Sequence, residues 1–244
     1  MKGQGTEFME KTRYAYLDKT DQQKGLPQPP LDLPAKEGYI IIDLPDPKNT
    51  KTFSLDVKDA INQRVSVRSY SDKPLTLAEL SYILWCTQGV KSILPRNATQ
   101  RTVPSAGARH CFETYLLINR VEGLKPGLYR FLAIEHKLQE VNLDNGVAEK
   151  VTKACLDQRF ILNSAVTFIW TSVAYRMMWR YSERGYRYMH LDAGHVCQNL
   201  YLSAETIGCG ACAVAAFNDD ELNNALGLDG VNQFAVYVGV LGKK

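Results

Sequence analysis

The sequence predicts an α+β chain whose elements are arranged around one central helix. Apolar residues recur at spacings of three and four from Met189 to Ile207, which is typical of the buried face of a helix. The run 165–173 is apolar and β-branched almost throughout, which predicts a central strand buried on both faces. Thr76 and Glu79 form a capping box that begins a second helix. No internal repeat and no linker divides these elements into separate units.

The composition of the 244 residues is that of an ordinary globular protein, with 45% hydrophobic and 23% charged residues. The formal net charge of +3 is too small to indicate nucleic acid or an anionic membrane surface as a partner. No apolar run reaches the roughly 18 residues of a membrane span, and no signal-type apolar core follows the N-terminus. The six cysteines show no disulfide-like spacing, so we expect a cytoplasmic protein.

Residues 1–50 are expected to form an extended, proline-rich N-terminal arm, and residues 51–244 the folded domain. Six of the ten prolines fall between Pro27 and Pro47, and proline blocks helices and fixes an extended backbone. Within the arm, the apolar run 39–43 predicts one strand, at a sheet edge or against a partner. A disordered tail is expected before Tyr14.

A short helix is predicted over 55–62, with Ile61 facing inward. The stretch that follows is expected to be extended, so Arg64, Ser66 and Arg68 share one face because alternate residues of an extended chain do so. Two guanidinium groups and a hydroxyl on one face can clamp a phosphate, since arginine binds phosphate through paired donors. A solvated strand edge that carries two arginines is the alternative, and the residues alone leave both open.

The remaining elements follow from periodicity and turn signals. The capping-box helix is expected to end near Gly89, with a polar loop over 91–103. Strands are predicted over 114–118, 128–131, 137–141, 165–173 and 234–241, with the second and third forming a hairpin. Helices are predicted over 147–157, 175–183 and 219–226, the last with Asn218 as its N-cap.

The central helix is expected to end at Gly208, because glycine accepts the left-handed conformation that follows many helices. Residues 209–217 carry little bulk, which would let a flat object, either protein or cofactor, approach the backbone closely. Plain tight packing explains the same residues.

Cys209 and Cys212 match a C-x-x-C pair, but they follow a helix end, whereas a helix start is what lowers a thiol pKa. His190 and His195 are five residues apart rather than four, so they do not supply a second pair of zinc ligands. The run 208–213 mimics a dinucleotide fingerprint, but that motif joins a strand to a helix and the order here is reversed. We therefore predict no metal site and no redox dithiol.

Four stretches together resemble one family. They are the run Arg64-x-Ser66-x-Arg68, the loop 104–110 (PSAGARH), the phrase 123–129 (GLKPGLY), and the segment 192–217. In this order they are similar to the FMN-dependent nitroreductase superfamily, and more narrowly to its azoline-dehydrogenase branch of the streptolysin-S or thiazole-oxidase type. The resemblance spans 14–243. It implies an α+β fold with helices around a mainly antiparallel sheet, in an intertwined homodimer with FMN at each subunit interface.

The resemblance also implies which residues contact FMN. The phosphate side corresponds to Arg64, Ser66 and Lys243, and the pyrimidine side to Arg68 and Gln158. The strand that meets the isoalloxazine ring corresponds to Val214, Ala215 and Ala216, and the segment that reaches the ring from the other subunit to Pro104, Ser105 and Ala106. Ala215 departs from the glycine that is common in the family near this position.

The activity implied is hydride transfer from NAD(P)H to FMN and then to a small oxidised acceptor, such as a nitroaromatic or a quinone. An azoline dehydrogenase that oxidises thiazoline or oxazoline rings in a peptide, together with peptide-modifying partner proteins, is the alternative. Azoline oxidases carry a Lys-Tyr pair, and Arg180-Tyr181 matches it here. Arginine does not lose its proton, so Tyr181 is the candidate acid or base. A third alternative is a flavin-binding protein with little turnover.

Overall fold

The computed structural model describes residues 3–49 and 53–244. Its helices are α1 (Gln4–Lys11), α2 (Val57–Gln63), α3 (Leu77–Gln88), α4 (Val147–Ala154), α5 (Ala174–Tyr181), α6 (Gly185–Thr206) and α7 (Asp219–Leu226). Its strands are β1 (Ile41–Asp43), β2 (Val90–Leu94), β3 (Ala98–Arg101), β4 (Phe112–Ile118), β5 (Gly127–Leu132), β6 (Lys137–Asn142), β7 (Val166–Val173), β8 (Cys209–Val214) and β9 (Gln233–Lys243). None of these helices has the length and apolar content that crossing a lipid bilayer requires.

The central sheet has seven strands in the order β1-β6-β5-β4-β7-β9-β8, and neighbouring strands pair antiparallel. β7 lies between β4 and β9, and all of its residues except Val173 are buried, as the apolar run predicts. Helix α6 packs on one face of the sheet, and α4 and α7 contact strands from the other. The α+β class, with a mainly antiparallel sheet flanked by helices, is confirmed.

Helix α6 is the central helix that the sequence predicts. It packs against α2, α3, α5, β8 and β9. The apolar stripe is buried: Met189, Ala193, Val196, Cys197, Leu200, Ala204 and Ile207. Because burial of one large aliphatic side chain contributes about 1.5–3 kcal/mol, this stripe fixes the position of α6 on the sheet. Leu191 is 60% exposed, so one side of the helix stays open in the single chain.

The predicted helix ends are confirmed at three places. The Thr76 hydroxyl accepts a hydrogen bond from the Glu79 amide at 3.2 Å, and the Glu79 carboxylate accepts one from the Thr76 amide at 2.9 Å. Asn218 Oδ1 accepts from the Glu221 amide at 3.0 Å and caps α7. Gly208 has φ +64°, which is the left-handed conformation expected after α6.

Three local expectations are wrong. β2 and β3 form a hairpin where a loop was predicted, because its mostly polar strands lack the apolar alternation that identifies a strand. Ile61 is 58% exposed, since α2 buries only Ala60. Helix α4 ends at Ala154, earlier than predicted, and Leu156 and Asp157 then adopt positive φ angles that a helix cannot contain.

Helix α1 lies against the body, where a disordered tail is expected from the sequence. Arg184 and Arg187 hold its end through the carbonyl and the hydroxyl of Thr12, at 2.9 and 2.6 Å. β1 pairs with β6 at the sheet edge, as predicted for 39–43. The predicted boundary between residues 50 and 51 lies outside the described residues, so the division into arm and domain stays a prediction.

Between α1 and β1, the chain lies along the body in a mostly non-repetitive conformation, which we call the strap (residues 22–36). Side chains of β5 and α5 bind its carbonyl groups because a proline-rich chain offers many acceptors and few donors. These bonds run from Arg130 to Pro34 at 2.6 Å, from Arg176 to Pro30 at 2.9 Å and from Trp179 to Leu26 at 2.9 Å.

Candidate functional site

The stretch after α2 lies beside β8 and brings two of the predicted phosphate-side residues together. Ser66 forms a parallel bridge with Ala211, and the Val67 amide donates to the Ala211 carbonyl at 2.9 Å. A Cβ on Gly210 would lie 2.5 Å from the side chain of Val67, so the small residue there permits this close approach. At this position, the small residue of β8 therefore serves the close packing of two segments of the same chain.

Tyr201 of α6 completes this group, although the sequence did not single it out as a site residue. Its hydroxyl lies 3.0 Å from the Ser66 hydroxyl and accepts a hydrogen bond from the Ala213 amide at 2.8 Å. The Arg64 guanidinium lies 5.3 Å from the centre of the Tyr201 ring. We call Arg64, Ser66, Arg68 and Tyr201 the strand-side group.

Arg68 is exposed and lies close enough to Cys212 for its charge to act on that thiol. Burial raises the pKa of Cys212, and the Arg68 charge opposes that rise. Its guanidinium makes no hydrogen bond or ion pair within the described residues, so all of its donors are available.

Lys243 is held by the protein itself. Its ammonium group forms an ion pair with Glu79 and donates to the Ile207 carbonyl at 2.9 Å. Glu79 is thus shared between the capping box and the end of β9. One N–H of the ammonium remains for any further acceptor.

Gln158 and Ala216, both predicted as site residues, lie together in the structure. The Gln158 amide nitrogen donates to the carbonyls of Cys155 and Ala216 at 2.9 and 3.0 Å. Its side-chain oxygen has no donor within the described residues and can accept one. Val214 is buried at the end of β8, whereas Ala215 and Ala216 are exposed beyond it.

The loop after β3 carries the residues Pro104, Ser105 and Ala106. The Ser105 hydroxyl accepts from the His110 amide at 2.9 Å, and the Ala106 amide donates to Asp192 of α6 at 3.2 Å. Burial raises the pKa of Asp192, and its bonds to this loop oppose the rise. Pro104 is exposed at the start of the loop.

Backbone strain is concentrated where this loop meets the end of α5. Gly107, Ala108 and His110 have φ angles of +58°, +54° and +44°, and Ser182 has φ +49°. A Cβ on Gly107 would clash with the Tyr181 hydroxyl and lie 2.9 Å from Arg180 Nε. Residues other than glycine in such conformations cluster at functional sites, which marks Tyr181 and this loop as a candidate site.

Tyr181 also contacts Tyr188 of α6, with ring centres 4.8 Å apart and planes nearly perpendicular. The Tyr188 hydroxyl is bonded to Tyr14 at 2.7 Å and to Arg184 at 2.8 Å. Hydrogen bonds from these two groups lower the pKa of Tyr188 against the opposing effect of burial. We call Ser105, Ala106, Gly107, Tyr181 and Asp192 the loop-side group.

Within one chain the two groups are offset along α6. Asp192 and Tyr201 are nine residues apart on α6, which corresponds to about 14 Å along the helix axis. Tyr201 and Asp192 both lie on α6, which carries many other polar side chains, so neither residue stood out in the sequence. Polarity on a helix is a weak signal for a site, because many such residues only satisfy a neighbouring backbone group.

The Cys209–Cys212 pair lies in β8, where residues three apart point to opposite faces of the sheet. Both thiols are free and buried, and burial raises the pKa of Cys209 to about 12. Neither feature suits a reactive dithiol. Within 3–49 and 53–244, no three His, Cys, Asp or Glu side chains are grouped so that they could hold a metal ion.

Residues 61–243 match the family model described as the nitroreductase family. A candidate nitroreductase of Methanocaldococcus jannaschii is 37% identical over 185 residues, which cover 76% of this chain and 88% of that protein. The trifolitoxin-processing protein TfxB of Rhizobium leguminosarum bv. trifolii is 28% identical over 158 residues. That match covers 62% of this chain and only 41% of TfxB.

Solved structures share the fold. A candidate nitroreductase of Anabaena variabilis superposes with TM-score 0.64 at 26% identity, over 77% of this chain and 38% of that one. The E. coli microcin synthetase McbBCD complex with truncated pro-MccB17 bound gives TM-score 0.65 at 18% identity, over 98% and 86%. A candidate nitroreductase of Desulfovibrio desulfuricans in complex with FMN gives TM-score 0.55 at 17% identity, over 78% and 86%.

Proposed function

The chain belongs to the nitroreductase family, and from that premise we propose that it is an FMN-dependent oxidoreductase. Its electron donor is NADPH or NADH, and its acceptor is a small oxidised molecule such as a nitroaromatic or a quinone. The observation that carries the proposal is the strand-side group, which places Arg64 and Ser66 together beside β8. The FMN complex of the Desulfovibrio protein, which shares the fold, supports it.

The residues fit a flavin nucleotide in chemical type. Arg64 and Ser66 supply charged and neutral donors for a phosphate, and the Gln158 side-chain oxygen can accept from an N–H at the pyrimidine edge. Ala215 and Ala216 expose small side chains on which a flat ring can lie. Bound FMN would supply the two-electron carrier that no amino acid provides.

In this proposal each group of side chains has one task. Arg64 and Ser66 hold the phosphate, with Lys243 able to give one further N–H. Arg68 stabilises negative charge at the pyrimidine, because a guanidinium keeps its charge at any working pH. The loop with Pro104, Ser105 and Ala106 covers the ring from a second subunit and excludes water, since in its own chain Asp192 is offset from Tyr201 by about 14 Å along the α6 axis.

A second candidate function, azoline dehydrogenase, is favoured by Tyr181. Its hydroxyl lies against Gly107 of the strained loop, and its ring lies 5.7 Å from the Arg180 guanidinium. TfxB is named for the processing of trifolitoxin, and the McbBCD structure holds a peptide, so both relatives agree with a peptide substrate and with peptide-modifying partners. In that function Tyr181 would take or give the proton, because Arg180 cannot act as a base.

Turnover separates the two functions. The purified protein, supplied with FMN, is assayed for oxidation of NADPH and NADH with menadione or a nitrofuran as acceptor. The reductase proposal predicts oxidation that depends on the acceptor and survives Tyr181→Phe, with the exposed Tyr16→Phe as the matched control. The dehydrogenase predicts slow oxidation of both nicotinamides and a thiazoline-peptide oxidation that Tyr181→Phe abolishes. If the protein binds flavin but shows neither activity, the third alternative, a flavin-binding protein with little turnover, is supported.

A further inference from the structure

Three arginines lie near Tyr181, whereas the carboxylate of the loop-side group, Asp192, is engaged by the Ala106 amide. Arg109 lies in the loop after β3, Arg180 in the last turn of α5, and Arg96 at the tip of the β2–β3 hairpin. Burial lowers the pKa of Arg109, and the charges of Arg180 and Arg96 add to this effect. Among the described residues, none of these three arginines forms an ion pair with a carboxylate. The arginines that do are Arg120, Arg130, Arg159 and Arg176. Like charges held close together favour the binding of an anion.

The two inner guanidinium groups are fixed in place by aromatic rings. Arg109, which is 6% exposed, lies 5.4 Å from the centre of the Trp179 ring and donates through Nε to the Gly107 carbonyl at 3.2 Å. Arg180 lies 5.7 Å from the centre of the Tyr181 ring. A guanidinium that stacks on a ring keeps its N–H edge free for bidentate bonding.

The donors of both groups remain unused. Within the described residues, Arg180 and the terminal nitrogens of Arg109 have no hydrogen-bond acceptor, and these nitrogens are not among the fully enclosed polar atoms. Gly107 lies against the Tyr181 hydroxyl and 2.9 Å, measured from an added Cβ, from Arg180 Nε, so only a glycine lets these groups approach the loop this closely. The Gly107 backbone is thus flanked by the two guanidinium groups and one phenol.

We propose that Arg109 and Arg180 form an oxyanion site that binds a carboxylate or phosphate group carried by one of the substrates. Arg96 adds charge at its rim. Arginine forks match both oxyanions through two parallel N–H bonds, which gives orientation as well as attraction. The assignment of this anion to a substrate rests on the proposed function, whereas its binding does not.

Two sources carry this chemistry. A carboxylated acceptor would place its ring beside Tyr181, and the 2′-phosphate of NADPH would make the site a selector of the nicotinamide donor. Benzoate and adenosine 2′-phosphate represent the two sources as probes. Benzyl alcohol and adenosine are their neutral counterparts.

Titration calorimetry of the full-length protein, as purified, tests the site with these four probes. We expect at least one anionic probe to bind and its neutral counterpart to bind at least tenfold more weakly. Arg180→Gln should weaken that probe by roughly 10–100-fold, the loss expected for one charge-assisted hydrogen-bonded contact. Arg180→Lys, which keeps the charge but not the fork, should lie between the wild type and Arg180→Gln.

Arg159→Gln is the control, because it removes an exposed arginine that is already paired with Glu149. Arg180 is half-buried and makes no hydrogen bond or ion pair within the described residues, so its variants are expected to fold. Arg109→Gln is a supporting variant whose folding is checked by thermal melting.

Equal binding of charged and neutral probes, or equal losses in Arg180→Gln and Arg159→Gln, would overturn the proposal. Because the titration measures binding and not turnover, it tests the oxyanion site even if the proposed flavin function is wrong. Selective binding of adenosine 2′-phosphate would identify the nicotinamide donor as the source, and selective binding of benzoate the acceptor.

Discussion

Arg64 is the residue on which cofactor retention depends most in the proposed function. Its guanidinium lies over the Tyr201 ring, whose hydroxyl contacts Ser66, and it has no hydrogen-bond acceptor in 3–49 and 53–244. Arg64→Ala should lower the affinity for FMN by about 1–3 kcal/mol, because it removes a charge-assisted phosphate contact. Titration of the apoprotein with FMN, followed by quenching of flavin fluorescence, measures the change.

Lys137→Ala is a matched control for that titration. It removes one positive charge from β6, near the opposite edge of the sheet from β8, where Lys137 is paired with Asp43 at 2.9 Å. Its effect on FMN affinity should be small. Equal affinities of Arg64→Ala and the wild type would refute the assignment of the phosphate.

His110 gives the protein a specific sensitivity to acid. Burial, together with the charges of Arg101 and Arg109, lowers the pKa of His110 to about 3. The unfolded chain binds this proton below its ordinary pKa of about 6.5, whereas the folded chain does not. The contribution of neutral His110 to the free energy of unfolding is therefore fully present above pH 6.5. It is lost as the pH falls toward 3, by up to about 1.4 kcal/mol per pH unit.

His110→Asn tests this effect, since asparagine tolerates the positive φ at this position. Urea unfolding between pH 7 and pH 4 should show a shallower loss of stability in the variant than in the wild type. Parallel curves for the two proteins would mean that folding does not lower the pKa of His110.

At the same scale, alternation along an extended chain predicted that Arg64 and Ser66 share a face, and the structure brings both to Tyr201. The alternation could not predict the role of Tyr201, because the bond between Tyr201 and Ser66 joins residues 135 positions apart. Asp192 was missed as a site residue for the same reason. The roles of these residues toward FMN stay predictions.

At the scale of elements, the strap is held by buried charges of β4, β5 and α5. Arg176 lies 2.6 Å from Glu113, Arg130 lies 3.9 Å from it, and the Leu33 amide donates to the same carboxylate at 2.9 Å. All three charged side chains are almost fully buried. Glu113 therefore neutralises two arginines that also bind the carbonyls of the strap.

Glu113→Gln should destabilise the protein by about 3–5 kcal/mol, because it leaves buried guanidinium groups without a counter-charge. We also expect faster proteolysis within residues 22–36, since the strap loses its anchor. Urea unfolding and limited trypsin digestion measure the two effects. Glu149→Gln, which breaks an exposed pair with Arg159, should cost less than about 1 kcal/mol; equal losses in both variants would contradict this account of the strap.

Most elements could be predicted from periodicity and caps, as α6, α7 and β7 illustrate. The β2–β3 hairpin could not, because neither of its short strands alternates apolar and polar residues. The strap likewise reads as a free arm in the sequence, since prolines fix an extended backbone but do not reveal the arginines that bind it.

At the scale of the whole molecule, the proposed function makes one site from the strand-side group of one chain and the loop-side group of a second chain. We therefore expect that Arg64→Ala and Pro104→Glu each impair both sites of a homodimer. In a mixture that has exchanged subunits, one site of each mixed dimer carries no substitution. Activity should then recover to roughly a quarter of the wild-type value, because half of the dimers are mixed and each has one intact site.

Pro104 suits this experiment because it is exposed, so the added carboxylate need not disturb the fold. Subunits are exchanged by mild denaturation and refolding, and acceptor-dependent NADPH oxidation is measured before and after. No recovery, in a sample that mass spectrometry shows to contain mixed dimers, would mean that the two groups act within one chain.

The visible spectrum of the purified protein, before and after NADPH or NADH is added without oxygen, tests the central claim most directly. The residues beside β8 predict a protein that holds flavin and whose yellow absorbance bleaches when the nicotinamide is added. A protein that shows no flavin band, even after incubation with FMN and removal of the excess, would contradict the proposed function.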